Sequence, residues 1–144
     1  MNPEELARAC ADEMLRRDAA SRWLGITIEE ARPGYARTAM TVTENMVNGH
    51  AIAHGGMTYT LADSTFAFAC NSRDEPNVAL QCSISYTAAV RLGDRLIGEA
   101  EERSSKGRTG VYDITVTRGE GEVVAIFRGV CYRLKGTVLG GVTS

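Results

Sequence analysis

The chain has 144 residues, of which 44% are hydrophobic and 24% are charged, a composition typical of one soluble globular domain. The formal net charge of −2 argues against a general nucleic-acid-binding protein. No run approaches the roughly 20 apolar residues that a membrane-spanning helix needs, and the charged N-terminus has no apolar signal-peptide core. We therefore expect a cytoplasmic protein that binds neither nucleic acid nor membrane.

The cysteines argue against a metal centre. They are widely scattered and form no CxxC pair, and only His50 and His54 are available to join them. A zinc site needs clustered thiolates or imidazoles. We expect no metal and interpret the cysteines as reduced thiols that pack as small hydrophobic residues: Cys10, Cys70, Cys82 and Cys131.

The predicted elements begin with one helix over residues 3–20, with Pro3 in its first turn and a thin apolar stripe that places it on the outside. Residues 21–25 are expected to break it. Periodicity and turn residues then predict strands over residues 26–29, 35–43, 78–90, 95–103, 109–118 and 122–134. The Gly-rich residues 135–144 are expected to fray. Residues 1–144 form a single predicted domain.

Residues 55–71 interrupt the strand pattern. In GGMTYTLADSTFAFACN, apolar side chains point in nearly every direction around a helix, which predicts a buried helix. One buried helix followed by a long run of strands predicts an α+β fold, with an antiparallel sheet wrapped around a central helix.

Asp63 is the single ionisable carboxylate of this predicted buried helix. An isolated carboxylate is costly to bury. The ordinary explanation is a helix face that reaches solvent here, or a carboxylate that caps a neighbouring loop. The alternative is a catalytic group at the edge of an apolar pocket, where desolvation tunes its pKa.

The segment before the helix, residues 47–56, is rich in Gly and His. The first N–H groups of a helix lack intrahelical partners and favour negative charge. Glycines let a ligand approach the backbone closely, so this entry can form an oxyanion hole. A Gly-rich helix entry without a ligand is also common, and the HGG triplet alone is weak support.

The ordered set Asn48, then His54-Gly55-Gly56, then Leu61-Ala62-Asp63 resembles the signature of hotdog-fold acyl-CoA thioesterases. Within these it is most similar to the phenylacetic-acid-degradation branch, and the similarity extends over about residues 20–134. The resemblance implies the hotdog fold and hydrolysis of acyl-CoA to free acid and CoA. It points to aryl substrates such as phenylacetyl-CoA or hydroxyphenylacetyl-CoA.

The resemblance also implies roles for individual residues. Asp63 is the general base that activates water, or a nucleophile that forms a mixed anhydride. The Gly55 N–H, alone or with Gly56, stabilises the oxyanion, Asn48 positions the carbonyl or the water, and His54 supports the loop. Related aryl-CoA enzymes can carry a hydroxyl one turn after the carboxylate. Here that position is Ala67, and the nearest hydroxyl belongs to Ser64.

Further implications concern coenzyme A and assembly. No cofactor is required, because coenzyme A is bound as part of the substrate and product. The nucleotide is expected near Arg91 and the turn formed by Lys106, Gly107, Arg108 and Thr109; the alternative is a solvated turn with ordinary surface charge. The family builds each active site across a homodimer interface, commonly within a dimer of dimers.

Two other readings remain open. A hotdog hydratase or dehydratase pairs a carboxylate with a catalytic His, but both histidines here precede Asp63. A non-catalytic acyl-CoA-binding module would use the same pocket without turnover. An acid in the buried helix favours catalysis, since binding alone does not need one.

Overall fold

The central helix predicted from residues 55–71 is α3 (Gly55–Cys70), and an antiparallel sheet wraps around it in a computed structural model that describes residues 1–140. Nine α3 residues are buried, and α3 packs chiefly against β2 (Tyr35–Thr41), β4 (Arg95–Lys106) and β5 (Thr109–Arg118). The predicted α+β fold is confirmed.

The sheet is completed by β1 (Thr27–Arg32), β3 (Asn77–Tyr86) and β6 (Glu122–Arg133). The six strands lie in the order β1-β2-β4-β5-β6-β3, and each pair is antiparallel. Within the described residues, β3 therefore pairs only with β6 and forms an edge of the sheet.

The predicted single N-terminal helix is wrong in one respect. Two helices are present, α1 (Pro3–Arg17) and α2 (Ala19–Trp23), separated at Asp18. Asp18 has a non-helical backbone (φ −95°, ψ 88°), and its side chain caps α2. An N-cap carboxylate satisfies a free N–H group of a new helix, so the chain turns at Asp18, and α2 runs into the residues 21–25 where the break was expected.

Two other boundaries differ from prediction. The strand expected over residues 78–90 ends at Tyr86, and a bulge between Ala79 and Gln81 interrupts its alternation. Residues 135–140 are docked rather than frayed, because Val138 is buried and the Leu139 N–H donates to Asp74. Residues 141–144, the rest of the predicted tail, lie outside the described residues.

Glycines let α3 lie close to the sheet. A Cβ on Gly129 of β6 would lie 2.7 Å from ring carbons of Phe66, and one on Gly98 of β4 would lie 2.6 Å from the Thr65 hydroxyl. Phe66 and Thr65 are both buried. These contacts fix the rotation of α3 about its axis and so fix which side chains it turns away from the sheet.

Candidate active site

Asp63 lies in the middle of α3, between the buried residues Ala62 and Ser64, and is itself only partly exposed. Among residues 1–140 no group donates a hydrogen bond to its carboxylate, and no buried side-chain oxygen or nitrogen there lacks a partner. The carboxylate therefore keeps access to solvent from an otherwise apolar helix, which leaves it able to accept a proton from water.

Burial raises the pKa of Asp63, and the negative charge of Asp18 raises it further. Asp63 in turn adds to the raised pKa of Cys82, whose main cause is burial. A raised carboxylate pKa moves the group toward the pH at which a general base works best.

Hydrogen bonds through two serines, Ser21 and Ser64, connect the Asp18 carboxylate to α3. The carboxylate accepts from the Ser21 N–H at 2.9 Å and from the Ser21 hydroxyl at 2.5 Å. The Ser21 and Ser64 hydroxyl oxygens lie 2.7 Å apart. Because the Ser21 proton goes to Asp18, Ser64 must donate to Ser21. The Ser64 hydroxyl, which is next to Asp63 in the sequence, is therefore committed and, while this bond holds, can accept from a water but cannot donate to it.

Asn48 shapes the loop that leads into α3. Its Oδ1 accepts from the His50 N–H at 2.9 Å and from the Ile52 N–H at 3.2 Å. Its amide nitrogen has no acceptor among residues 1–140. The Asn48 side chain thus stabilises the loop through its oxygen and leaves its amide N–H groups free to donate.

His54 caps α3, because its Nδ1 accepts the Gly56 N–H at 3.0 Å. This bond occupies the Gly56 N–H, which we expected to act together with the Gly55 N–H as an oxyanion donor. The Gly55 N–H, by contrast, has no acceptor among residues 1–140. The helix entry therefore offers one free N–H, that of Gly55, at the positive end of the α3 dipole.

Asp63 and Gly55 do not meet within one chain. They are eight residues apart on α3, which corresponds to about 12 Å along a helix axis. A thioester carbonyl needs a donor within about 3 Å of its oxygen and a base within hydrogen-bond reach of the attacking water. One copy of α3 cannot supply both groups to one substrate.

The Thioesterase superfamily sequence pattern matches residues 50–125, the segment that carries both groups. The acyl-coenzyme A thioesterase PaaI of Escherichia coli K12 is 42% identical over 130 residues, which cover 90% of this chain and 93% of that protein. The chain belongs to the thioesterase superfamily.

Solved structures agree with this assignment. The structure of E. coli PaaI, from the phenylacetic acid degradation operon, superposes on this thioesterase with a TM-score of 0.92 at 40% identity, covering 94% of this chain and 99% of that chain. A hypothetical thioesterase from Streptococcus pneumoniae TIGR4, solved with coenzyme A, has a TM-score of 0.73 at 29% identity, covering 78% and 90%. The hotdog fold implied by the resemblance is confirmed.

The predicted nucleotide-binding turn of the thioesterase joins β4 to β5, with Gly107 in a left-handed conformation (φ +60°). It borders a cleft at the end of α3 that contains three arginines: Arg73, Arg108 and Arg133. Arg73 pairs with Glu102 at 2.6 Å, and Arg133 pairs with Glu75 at 3.3 Å. Arg108 donates to the Arg133 carbonyl at 2.9 Å and has no acidic partner among residues 1–140.

Arg91 lies elsewhere in the thioesterase chain. Its backbone forms a bridge with Ile52 of the Asn48 loop, and its N–H donates to Asp94 at 2.8 Å. Its side chain is exposed. The structure thus places one predicted cation beside the loop and the others at the opposite end of α3. No group of three potential metal ligands occurs within residues 1–140, and no helix in that part of the chain is long and apolar enough to cross a membrane.

Two residues near the site were assigned no role by the sequence. Asp18 was placed inside a helix, although Asp is one of the residue types preferred at a helix N-cap. Tyr86 lies in the segment that resembles the family, and its hydroxyl donates to the Gly55 carbonyl at 3.0 Å. No local pattern reveals a contact between residues 31 positions apart.

Proposed function

We propose that this thioesterase hydrolyses acyl-CoA to free acid and CoA, with Asp63 as the catalytic carboxylate. The observation that carries the proposal is a solvent-accessible carboxylate, with its pKa raised by burial, in the middle of the buried α3. Its relative PaaI bears the name acyl-coenzyme A thioesterase. Because that protein comes from a phenylacetic acid degradation operon, we further propose aryl substrates such as phenylacetyl-CoA and hydroxyphenylacetyl-CoA.

In the first step of the proposed reaction, the thioester oxygen accepts a hydrogen bond from the Gly55 N–H. Charge that develops on this oxygen is stabilised by the donor and by the N-terminus of α3. Asn48 holds the carbonyl or the water through its free amide nitrogen. His54 keeps the loop in place by capping α3.

In the second part, Asp63 acts on the carbonyl carbon in one of two ways. As a general base it removes a proton from water as the water attacks, and the CoA thiolate leaves. As a nucleophile it attacks the carbonyl carbon itself, the CoA thiolate leaves as the C–S bond breaks, and water then hydrolyses the mixed anhydride. Single-turnover hydrolysis in ¹⁸O-labelled water tests for the nucleophilic route, because label enters the Asp63 carboxylate only if water attacks the Asp63 carboxyl carbon of a mixed anhydride.

The proposed active site needs two copies of the chain, with Asp63 from one and Gly55 from the other. The separation of about 12 Å along α3 supports this arrangement. So does the β3 edge, which exposes Val78 (46%), Leu80 (59%) and Tyr86 (52%). An unpaired edge strand with apolar side chains favours pairing with another strand. We propose a homodimer, assembled further into a dimer of dimers.

Coenzyme A is bound in this proposal as part of the substrate, and no other cofactor is required. The cleft with three arginines suits its phosphates, because guanidinium groups bind phosphate oxygens in a bidentate manner. Lys106, Gly107, Arg108 and Thr109 form its turn, and Arg91, beside the Asn48 loop at the other end of α3, offers a further cation. We place the enzyme in the cytoplasm, where its four free thiols stay reduced.

Asp63→Asn tests the catalytic assignment. We expect the variant to fold normally and to release CoA at least about a hundredfold more slowly than the wild type, since loss of a general base costs about 10²–10⁴ in rate. Thiol release is measured over a panel of aryl and aliphatic acyl-CoAs. Glu120→Gln, an exposed change in the β5–β6 turn, is the control. Near-wild-type turnover by Asp63→Asn would end the assignment.

The same assays, with an enoyl-CoA added to the panel, distinguish hydrolysis from the two competing functions. Hydration of an enoyl-CoA without thiol release would indicate a hydratase. Stoichiometric binding without CoA release over hours would indicate a binding module. The absence of any histidine after Asp63 in the sequence and the solvent access of the Asp63 carboxylate favour hydrolysis over both.

Arg108→Ala tests the nucleotide site. Because Arg108 has no acidic partner among residues 1–140 and borders the cleft, we expect the acyl-CoA KM to rise about 5–20-fold with little change in kcat, as for a group that binds ground state and transition state equally. Arg103→Ala, on β4, is the matched control, because Arg103 pairs with Asp113 at 3.5 Å. An unchanged KM for Arg108→Ala would remove this residue from the site.

A further inference from the structure

Tyr86, the last residue of β3, contacts the helix entry of the proposed active site in two ways. Its hydroxyl donates to the Gly55 carbonyl at 3.0 Å. Its ring lies over the same residue, because a Cβ built on Gly55 would be 3.1 Å from Tyr86 Cζ and 3.2 Å from the hydroxyl oxygen. The absence of a side chain at Gly55 is therefore what allows the ring to approach.

The peptide between Gly55 and Gly56 is held at both ends. Tyr86 bonds its carbonyl, and His54 Nδ1 accepts its N–H at 3.0 Å. The neighbouring N–H, that of Gly55, has no acceptor among residues 1–140. Fixing one peptide plane restricts the rotation of the next, so these two bonds set the direction in which the free Gly55 N–H points.

Tyr86 is itself held by the sheet. It pairs with Ala125 in the β3–β6 ladder, and the next residue, Thr87, donates its N–H to the Val124 carbonyl at 2.9 Å. The Tyr86 backbone is thus anchored to β6 at the buried residues Val124 and Ala125, whereas its side chain is 52% exposed. Among residues 1–140, the Tyr86 hydroxyl makes one hydrogen bond, the one to the Gly55 carbonyl.

We infer that Tyr86 is a positioning residue of the thioester hydrolysis, which holds the Gly55 peptide so that its N–H stays aimed at the thioester oxygen. The inference rests on the proposed function, in which this N–H is the oxyanion donor. A donor stabilises the transition state only when it is held in place before the reaction. Tyr86 touches neither the substrate carbonyl nor the water in this account and acts through Gly55.

Tyr86→Phe tests the inference, because it removes the hydroxyl and keeps the ring. A net hydrogen bond of about 0.5–1.5 kcal/mol corresponds to a decrease in kcat of about 2–13-fold. We expect this decrease with KM within about twofold of the wild type. The Kd for a non-hydrolysable thioether analogue of the substrate should also be unchanged, since the analogue has no carbonyl oxygen for Gly55 to bind.

Tyr132→Phe is the matched control. Tyr132 is a partly exposed tyrosine of β6 whose hydroxyl has no hydrogen-bond partner among residues 1–140, so kcat should not change. If Tyr86→Phe and Tyr132→Phe have equal kcat values while Asp63→Asn is inactive, the inference fails and the proposed function stands. If Tyr86→Phe instead lowers Tm and weakens analogue binding, Tyr86 is merely structural and the inference also fails. A wild type that releases no CoA would overturn the proposed function and this inference with it.

Discussion

At the scale of single residues, the environment of Asp63 is set by a second carboxylate outside α3. Asp18 belongs to the junction between α1 and α2, yet its charge is second only to burial in raising the pKa of Asp63. No ion pair within residues 1–140 neutralises Asp18, whose carboxylate oxygens accept there only from Ser21. The N-terminal segment thus influences the protonation of the proposed catalytic group.

Asp18→Asn tests this influence. Removing the negative charge should lower the pKa of Asp63, so the acidic limb of the kcat/KM profile, which reports the free enzyme's essential base, should move to lower pH. Asparagine keeps an acceptor for the Ser21 N–H and is a good N-cap. The measurement is kcat/KM across the acidic range.

Asp12→Asn provides the comparison for this shift. It removes the same charge from α1, where Asp12 is exposed and pairs with Arg8 at 3.0 Å. Its pH profile should match the wild type. Superimposable profiles for Asp18→Asn and Asp12→Asn would show that the Asp18 charge does not reach Asp63.

The sequence reveals Asp63 and the Gly55 entry because both depend on local patterns. A carboxylate in an otherwise apolar helix and glycines at a helix start are visible within a few residues. Tyr86 and Asp18 act on these groups across gaps of 31 and 45 positions. Their roles depend on the packing of β3 and α2 against α3, which no local pattern specifies.

At the scale of elements, small residues of the sheet allow α3 to pack closely against it. Gly129 faces the Phe66 ring, and Gly98 faces the hydroxyls of Thr65 and Thr38, which lie 2.6 Å from each other. The periodicity of residues 55–71 predicts that the helix is buried. It does not predict which strand glycines it rests on, because those depend on the sheet register.

Gly129→Ala should destabilise the protein. Its Cβ would meet ring carbons of Phe66 at 2.7 Å, and Phe66 is surrounded by Tyr112 and Phe127. Overpacking of this kind costs about 1–3 kcal/mol, so Tm should fall by several degrees in differential scanning fluorimetry.

Gly49→Ala is the stability control for this prediction. No atom lies within 4 Å of a Cβ at Gly49, and its backbone is not in the left-handed region, so its Tm should stay near the wild-type value. A Tm for Gly129→Ala equal to that of Gly49→Ala would contradict the close packing of the Phe66 ring against Gly129.

Strand positions are predicted better than helix and strand ends. β5 agrees with its prediction at both ends, whereas the prediction for β3 extends four residues too far. After Tyr86 the chain leaves the ladder, and Thr87 and Ala88 both turn their N–H groups to the Val124 carbonyl. The alternation of the sequence continues through this point, so periodicity alone does not reveal the end.

At the scale of the whole molecule, the order of strands leaves β3 at an edge, although it is followed in sequence by the central strand β4. Sequence alone predicts a sheet around a helix but not this order, since pairing over long separations depends on the complete fold. The edge position exposes apolar side chains of β3 and supports the proposed dimer. It also places Tyr86 where a partner would approach.

Gly55→Pro provides a variant that lacks the proposed oxyanion donor. Proline has no N–H and is well suited to the first position of a helix, and His54 has the extended backbone (φ −61°, ψ 132°) that is favoured before proline. Loss of the donor should lower kcat about 10²–10³-fold. Gly55→Ala is its matched control, because it places the same Cβ beside Tyr86 and keeps the N–H.

Co-expression of Asp63→Asn chains with Gly55→Pro chains tests the central claim most directly. Each variant alone should be nearly inactive, because every site lacks one of the two groups. In a mixed dimer, one of the two sites combines an intact Asp63 with an intact Gly55, so random pairing should restore about a quarter of the wild-type activity per chain. Activity of the co-expressed protein that stays at the level of the separate variants would contradict an active site shared between two subunits.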